Sequence, residues 1–192
     1  MVTLVVATQN VGKLKELQQH LVGLSWELQL MPPDLDIAET GSTFLENACL
    51  KASQTAQSTG QWAIADDSGL SINALDDAPG VYSARYGKTD KDRIKRVLTE
   101  LGTSDQREAR FICVMALARP DGEVVCHAEG ICPGTILQEP RGDGGFGYDP
   151  IFYVPEVGQT FAEMSPEQKR TVSHRGRAFA ALLPQMQALS PV

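Results

Sequence analysis

Asp66 and Asp67 stand side by side where the apolar run Ala63-Ile64-Ala65 stops and Ser68-Gly69 is expected to turn the chain away. Carboxylates at the end of a buried strand need cations or a hard metal ion beside them, because an uncompensated buried charge is prohibitively costly. Ligands of α/β sheets bind just outside the carboxyl ends of strands. The acidic pair is therefore the first candidate for chemistry.

Other groups could join it. Gly12-Lys13 lies between an apolar strand and a helix, where backbone N–H groups and the helix dipole favour an anion. It lacks the leading Gly and the Ser/Thr of a Walker A loop, so a phosphate cradle and a plain turn with a solvated Lys13 both fit. Gly142-x-Gly144-x-x-Gly147 has the spacing of a dinucleotide fingerprint, but Tyr148-Asp149-Pro150 cannot open the helix that the fingerprint requires. Phe146, set among those glycines, is either a stacking platform for a planar base or a core anchor under a tight turn. Ser173 is a helix N-cap candidate that places His174 and Arg175 in a first turn, where a cation opposes the macrodipole. Arg175 would then donate to a carbonyl or phosphate, or form a surface salt bridge. Lys51 is a ligand group or a snorkelling side chain, and Glu39 a ligand or a loop acid. Glu46 is explained by a capping box. The four cysteines form no C-x-x-C pair; Cys126-His127 with Cys132 lacks a fourth nearby zinc ligand, and buried reduced thiols are the expectation.

The elements that would position these groups follow from periodicity. Residues 2–7 read as a buried strand. Leu14, Leu17 and Leu21 give the next segment one apolar face. Glu27 to Met31 reads as a second strand, ended by Pro32-Pro33. Thr43-x-x-Glu46 opens a helix with Leu45, Ala48, Cys49, Ala52 and Ala56 on its stripe, closed by Gly60. Residues 63–65 form the strand that carries the acidic pair. Ala78-Pro79-Gly80 is a turn, and Asp90 to Leu101 a charged helix. Arg110 to Ala118 and Glu123 to Cys132 flank Pro120-Asp121-Gly122, a hairpin signal. A further short strand is expected near Gly134 to Leu137, and a helix from about Ser173 that Pro184 should end or kink. Helices alternating with strands, then a hairpin, predict an α/β fold with a mixed sheet and helices on its faces.

The 192 residues suit one domain, 1–192, with a substantial core. A net charge of -7 argues against nucleic acid or membrane surfaces as partners, though a local basic cluster can still hold a small anion. The opening Met1-Val2-Thr3-Leu4-Val5-Val6-Ala7 has no basic n-region and is too short for a membrane span, so a cytoplasmic location is expected.

Taken together, Thr8-x-Asn10-x-x-Lys13, Thr43-Phe44-x-Glu46-Asn47-Ala48 with Lys51-Ala52, Ala65-Asp66-Asp67-Ser68-Gly69-Leu70, Ala78 to Arg85, Gly144 to Pro150 and Ser173-His174-Arg175 resemble, in order, the inosine/xanthosine triphosphate pyrophosphatase family. The resemblance implies Mg²⁺-dependent hydrolysis of ITP, dITP and XTP to the monophosphate and pyrophosphate, in a homodimer whose active site lies in a cleft between two lobes. Asp67 would be the acid–base residue and, with Glu39, a Mg²⁺ ligand. Thr8, Gln9, Asn10, Val11, Gly12, Lys13 and Lys51 would hold the triphosphate. Ser68, Lys169 and Phe146, Gly147, Tyr148 and Asp149 would complete the nucleotide site, with His174 and Arg175 at the purine edge. Gln9 departs from the glycine more common at its position, and Asp66 has a role the resemblance leaves open. Two other readings compete: a pyrophosphatase for pyrimidine or other modified nucleotides, and a nucleotide-binding module without catalysis.

Overall fold

The fold, taken from a computed structural model that describes residues 2–21 and 26–189, is a seven-stranded mixed sheet in the order β2-β1-β3-β4-β5-β6-β7. The strands are β1 (Val2–Val6), β2 (Trp26–Leu30), β3 (Trp62–Ile72), β4 (Glu108–Ala118), β5 (Val124–Ile136), β6 (Phe152–Val154) and β7 (Gln159–Thr160). The helices are α1 (Val11–Leu21), α2 (Phe44–Thr59), α3 (Asp90–Leu101), α4 (Pro166–Val172) and α5 (His174–Leu189). β1 runs parallel to β2 and β3, and every later pairing is antiparallel.

Local chemistry sets the element ends. Thr43 Oγ1 accepts from Glu46 N while Glu46 returns a carboxylate to Thr43 N, and Gly60 closes α2 at φ 64°. Thr89 and Asp92 form the same box on α3, whose Val97 and Leu101 are buried with Ile94 and Leu98 packed beside them. In the hairpin, Gly122 takes φ 90°, Arg119 N donates to Glu123 O and Arg119 O accepts from Gly122 N. Leu17 is buried and Leu14 packs on the same core; the side chain of Leu21 lies outside the described residues.

Two expectations need correction, a third is narrowed, and one helix lies outside them. β3 does not stop at Ala65 but runs through the acidic pair to Ile72, because the charges find partners on both faces of the sheet. β5 is one strand and absorbs the expected Gly134–Leu137 segment. Pro133 is tolerated there because β6 joins only at Thr135 and Ile136, leaving the rest of that side of β5 without a strand partner among the described residues. Pro184 does not end α5: Leu182 and Met186 are buried on either side of it, and Ala180, whose carbonyl loses a donor, is exposed to water. α4, capped by Ser165 and Gln168, precedes Ser173.

Alternation along the long strands divides the core. Leu4, Val6, Ile64, Cys113, Met115 and Leu117 face Phe179 and Leu182 of α5, whereas Val5, Ala7, Ala63, Ala65, Val114 and Ala116 face Ala48, Ala52 and Ala56 of α2. A separate cluster gathers Leu70, Ile72, Val97, Phe111, Phe152 and Phe161 at the far ends of β3–β5. The two ends of the molecule thus have their own cores, joined by three long strands. Asp66 and Asp67 lie at the junction, just past the carboxyl end of β1, which pairs with β3 only as far as Ile64. All four cysteines are free thiols, three of them buried.

Candidate active site

Consecutive strand residues point to opposite faces, so the acidic pair is divided. On the α1/α5 face, Asp66 Oδ2 lies 3.2 Å from Lys13 Nζ and 3.0 Å from Arg175 Nη2. Arg175 also bonds Ser68 Oγ at 3.0 Å and Glu16 Oε2, and is 2% exposed. Glu16 Oε1 meets Lys169 Nζ at 2.6 Å, and Lys169 reaches Asp149 Oδ2 at 2.7 Å. Asp149 in turn accepts from Phe146 N at 2.8 Å, so this chain of alternating charges ends by shaping the aromatic loop. Burial opposes ionisation of Asp66, but Lys13, Arg175 and Lys51 overcome it and hold the carboxyl far below its usual range.

On the α2 face the balance differs. Asp67 Oδ2 accepts from Asn47 Nδ2 at 3.0 Å, and Oδ1 accepts from Ser68 N at 3.0 Å. Lys51 Nζ stands 3.8 Å from Asp67 Oδ1 and 2.6 Å from Glu39 Oε1. Burial raises the Asp67 pKa, Lys51 and Lys13 only partly offset that, and Glu39 adds repulsion. Burial thus lifts the carboxyl above its ordinary range, which suits proton acceptance.

Helix α1 begins at Val11, so Gly12 and Lys13 belong to its first turn. Asn10 Oδ1 accepts from Gly12 N at 2.9 Å and Lys13 N at 3.2 Å, and Thr8 Oγ1 accepts from Asn10 N at 3.1 Å. Those two amides are thus already used, and the cation of this turn is the side chain of Lys13, which is paired rather than solvated. Gln9 is exposed and reaches Leu35 O at 3.4 Å. Val11 is exposed as well.

Three cavities meet here. One of about 410 Å³ is lined by Thr8, Gln9, Asn10, Lys13, Glu39 and Lys51. A narrow one of about 70 Å³ lies among Ser68, Phe146, Gly147, Tyr148, His174 and Arg175. The third, about 450 Å³, opens between Gly12, Glu16, Phe146, Phe161, Lys169 and Ser173. Phe146 is half-buried, with Lys169 Nζ 4.8 Å from its ring centroid, and it separates the last two cavities. Tyr148 is buried and donates to Ser83 O at 2.8 Å. His174 is buried and stacked 4.6 Å from Phe111; burial, with Arg175 and Lys169, pushes its pKa well below the imidazole norm, so it is neutral. Ser173 Oγ accepts from Gly176 N at 3.1 Å, the expected cap of α5.

Every residue expected in the site thus borders one of these cavities or the ion network behind them. Arg175 is neither a surface ion pair nor an idle donor, because Asp66, Glu16 and Ser68 already engage it. Sequence reasoning missed Glu16 and Asn47. Glu16 offered no local signal. Asn47 did: it is a polar residue on the buried stripe of α2, where an unsatisfied amide would be costly. Its Oδ1 accepts from Gly41 N at 2.8 Å, which leaves Nδ2 to aim Asp67.

A divalent cation fits the α2 face. Asp67 and Glu39 already share one cation, the Lys51 ammonium, and both offer hard oxygen donors. Among the described residues no group of three or more His, Cys, Asp or Glu is arranged to cage a metal. Two carboxylates without a cage are what Mg²⁺ uses when substrate phosphates and waters supply the remaining ligands.

Comparison with known proteins places the chain in a family. Residues 4–185 match the sequence profile of the Ham1 family. A protein of Nostoc sp. named dITP/XTP pyrophosphatase is 63% identical over 186 residues, covering 97% of this chain and 95% of its own. The HAM1 protein of Coxiella burnetii superposes with a TM-score of 0.87 at 46% identity, covering 98% of this chain and 100% of that one. The Staphylococcus aureus Ham1 protein gives the same TM-score at 39% identity, with the same coverage.

Proposed function

The chain belongs to the Ham1 family, and from that premise we propose that it hydrolyses the non-standard purine nucleoside triphosphates ITP, dITP and XTP to the monophosphate and pyrophosphate. The observation that carries the proposal is the environment of Asp67. It is a buried carboxyl with a raised pKa, held by Asn47 and lying 3.8 Å from Lys51, which with Lys13 and Glu39 lines the adjoining cavity.

In this reading Lys13 and Lys51 hold the triphosphate, and Asn10 fixes the helix turn that carries Lys13. Asp67 accepts the proton of the attacking water. The water oxygen bonds to the α-phosphorus, and the α–β bridging oxygen leaves with pyrophosphate, whose charge the lysines offset. Asp67 and Glu39 would hold the divalent ion, read as Mg²⁺, which neutralises phosphate charge and acidifies a bound water. The purine then extends toward Phe146, with the 450 Å³ cavity beside Lys169 and Ser173 as the compartment large enough for it. Lys169 supplies donors only, as does Arg175 behind it. A 6-oxo purine satisfies such donors, whereas the amino group of adenine leaves them unpaired. Residues 1–192 serve as one catalytic domain. Mg²⁺ among divalent ions, a homodimeric working unit and a cytoplasmic location belong to the same proposal; among the described residues no helix is long and apolar enough to cross a membrane.

The test is product analysis with ITP and MgCl₂. IMP with pyrophosphate is expected. IDP with orthophosphate would place the attack on the wrong phosphorus, and faster turnover of dUTP or ATP would overturn the purine assignment.

A further inference from the structure

The segment Ala78–Arg85 is built with more care than a connecting turn needs. Its 3-10 portion, Gly80–Arg85, is fastened to β3 through Ser83, whose Oγ donates to Gly80 O at 2.6 Å and accepts from Leu70 N at 2.9 Å. Ser71 bridges to Pro79, and a Cβ on Gly69 would come within 2.3 Å of Gly80 O. The segment therefore sits directly on the strand that carries Asp67, and at its end it presents Arg85.

Arg85 lines the same cavity as Lys13, Lys51 and Glu39. The other two cations there are committed: Lys13 lies 3.2 Å from Asp66 and Lys51 2.6 Å from Glu39. The Arg85 guanidinium lies 3.9 Å from Glu39 Oε2, beyond hydrogen-bond distance, with its side chain 56% exposed and braced 5.6 Å from the Tyr82 ring centroid. Its donors thus point into the cavity mouth without a short partner among the described residues. A planar fork of donors matches a phosphate group bidentately, which an ammonium cannot do.

We propose that Arg85 is a pyrophosphate-binding residue, holding the departing end of the substrate in the cavity that Lys13, Lys51 and Glu39 share. The inference rests on the hydrolytic reading above and adds a residue to it. Among the described residues Glu39 is the one carboxylate within 4 Å of Arg85, so a cation held by Glu39 would leave the guanidinium free for phosphate. Arg85 is mostly outside the core, so its replacement spares the fold.

The experiment is calorimetric titration of wild type, Arg85→Gln and Arg85→Lys with inorganic pyrophosphate and, separately, with IMP, both with MgCl₂. Arg85→Gln is expected to weaken pyrophosphate binding by about tenfold or more, the loss of charge-assisted hydrogen bonds, while IMP binding stays within about twofold. Arg85→Lys, which keeps the charge and loses the fork, is expected to fall between. Equal pyrophosphate affinity in wild type and Arg85→Gln, or parallel weakening of pyrophosphate and IMP, overturns the inference. The hydrolytic reading fails separately, if wild type releases no pyrophosphate from ITP.

Discussion

Asp66 and Asp67 are neighbours on β3, yet their carboxylates face opposite sides of the sheet: Asp66 Oδ2 lies 3.0 Å from Arg175 Nη2, and Asp67 Oδ2 3.0 Å from Asn47 Nδ2. The first is saturated with cations and fixed in the ionised state. The second is held by an amide and a distant ammonium, and burial raises its pKa. One dipeptide therefore supplies a structural anion to one face and a proton acceptor to the other. Sheet alternation turns sequence adjacency into a division of labour.

Arg175→Met should be strongly destabilising. It leaves Asp66 and Glu16 without their shared partner in a site where Arg175 is 2% exposed, and breaking a buried pair costs about 3–5 kcal/mol. Urea unfolding measures this; a loss under about 1 kcal/mol would mean that water already screens the network.

Asn47→Ala should lower kcat more than it raises KM. The variant leaves Gly41 N and Asp67 Oδ2 without partners, costing about 1–3 kcal/mol of stability and releasing Asp67 from its orientation. Asn47→Asp should be worse, since it places a second anion against Asp67. Steady-state kinetics with ITP reads both, and an unchanged kcat in Asn47→Ala would remove Asn47 from the site.

The pH dependence of stability isolates Asp66. Its folded pKa is depressed below the ordinary 3.8, so its contribution is fully present above 3.8 and is lost as pH falls from there through the folded value. With chelator present, the stability gap between wild type and Asp66→Asn should stay level from neutral pH down to about 4 and narrow only below that. A gap already closing at higher pH would show that Asp66 is not held ionised.

Gly12→Val should disturb the aromatic loop rather than the fold. A Cβ at Gly12 would lie 2.5 Å from Phe146 Cδ1, so the ring must move. KM for ITP should rise with little change in the unfolding midpoint. An unaltered KM would place the purine away from Phe146.

Local chemistry made much of this fold readable. The cap of α2 and the Pro120-Asp121-Gly122 turn sit within a few residues of the structure they specify, and each forms where the sequence puts it; the box that opens α3 is equally local. Charge compensation is not local. Asp66 looks like a strand terminator because its partners, Lys13 and Arg175, are 53 and 109 positions away in sequence, and only the closed sheet brings them to it. The same distance hid Glu16, a helix-surface acid until α4 and α5 pack against α1. Asn47 was legible in principle, as a polar residue on an apolar stripe. The Ser165–Gln168 box that opens α4 was equally local and simply short, since a helix of seven residues leaves little periodicity to read.

The most direct test of the account pairs Asp67→Asn with Asp66→Asn and measures, for each, ITP turnover and thermal midpoint. Asp67→Asn should lose about a thousandfold or more of turnover, as expected for removal of a proton acceptor, and keep or raise its midpoint because it removes an unfavourably buried charge. Asp66→Asn should lower the midpoint, leaving Lys13 and Arg175 poorly compensated. Full turnover in Asp67→Asn, or a destabilised Asp67→Asn beside an unperturbed Asp66→Asn, would contradict the division of the pair.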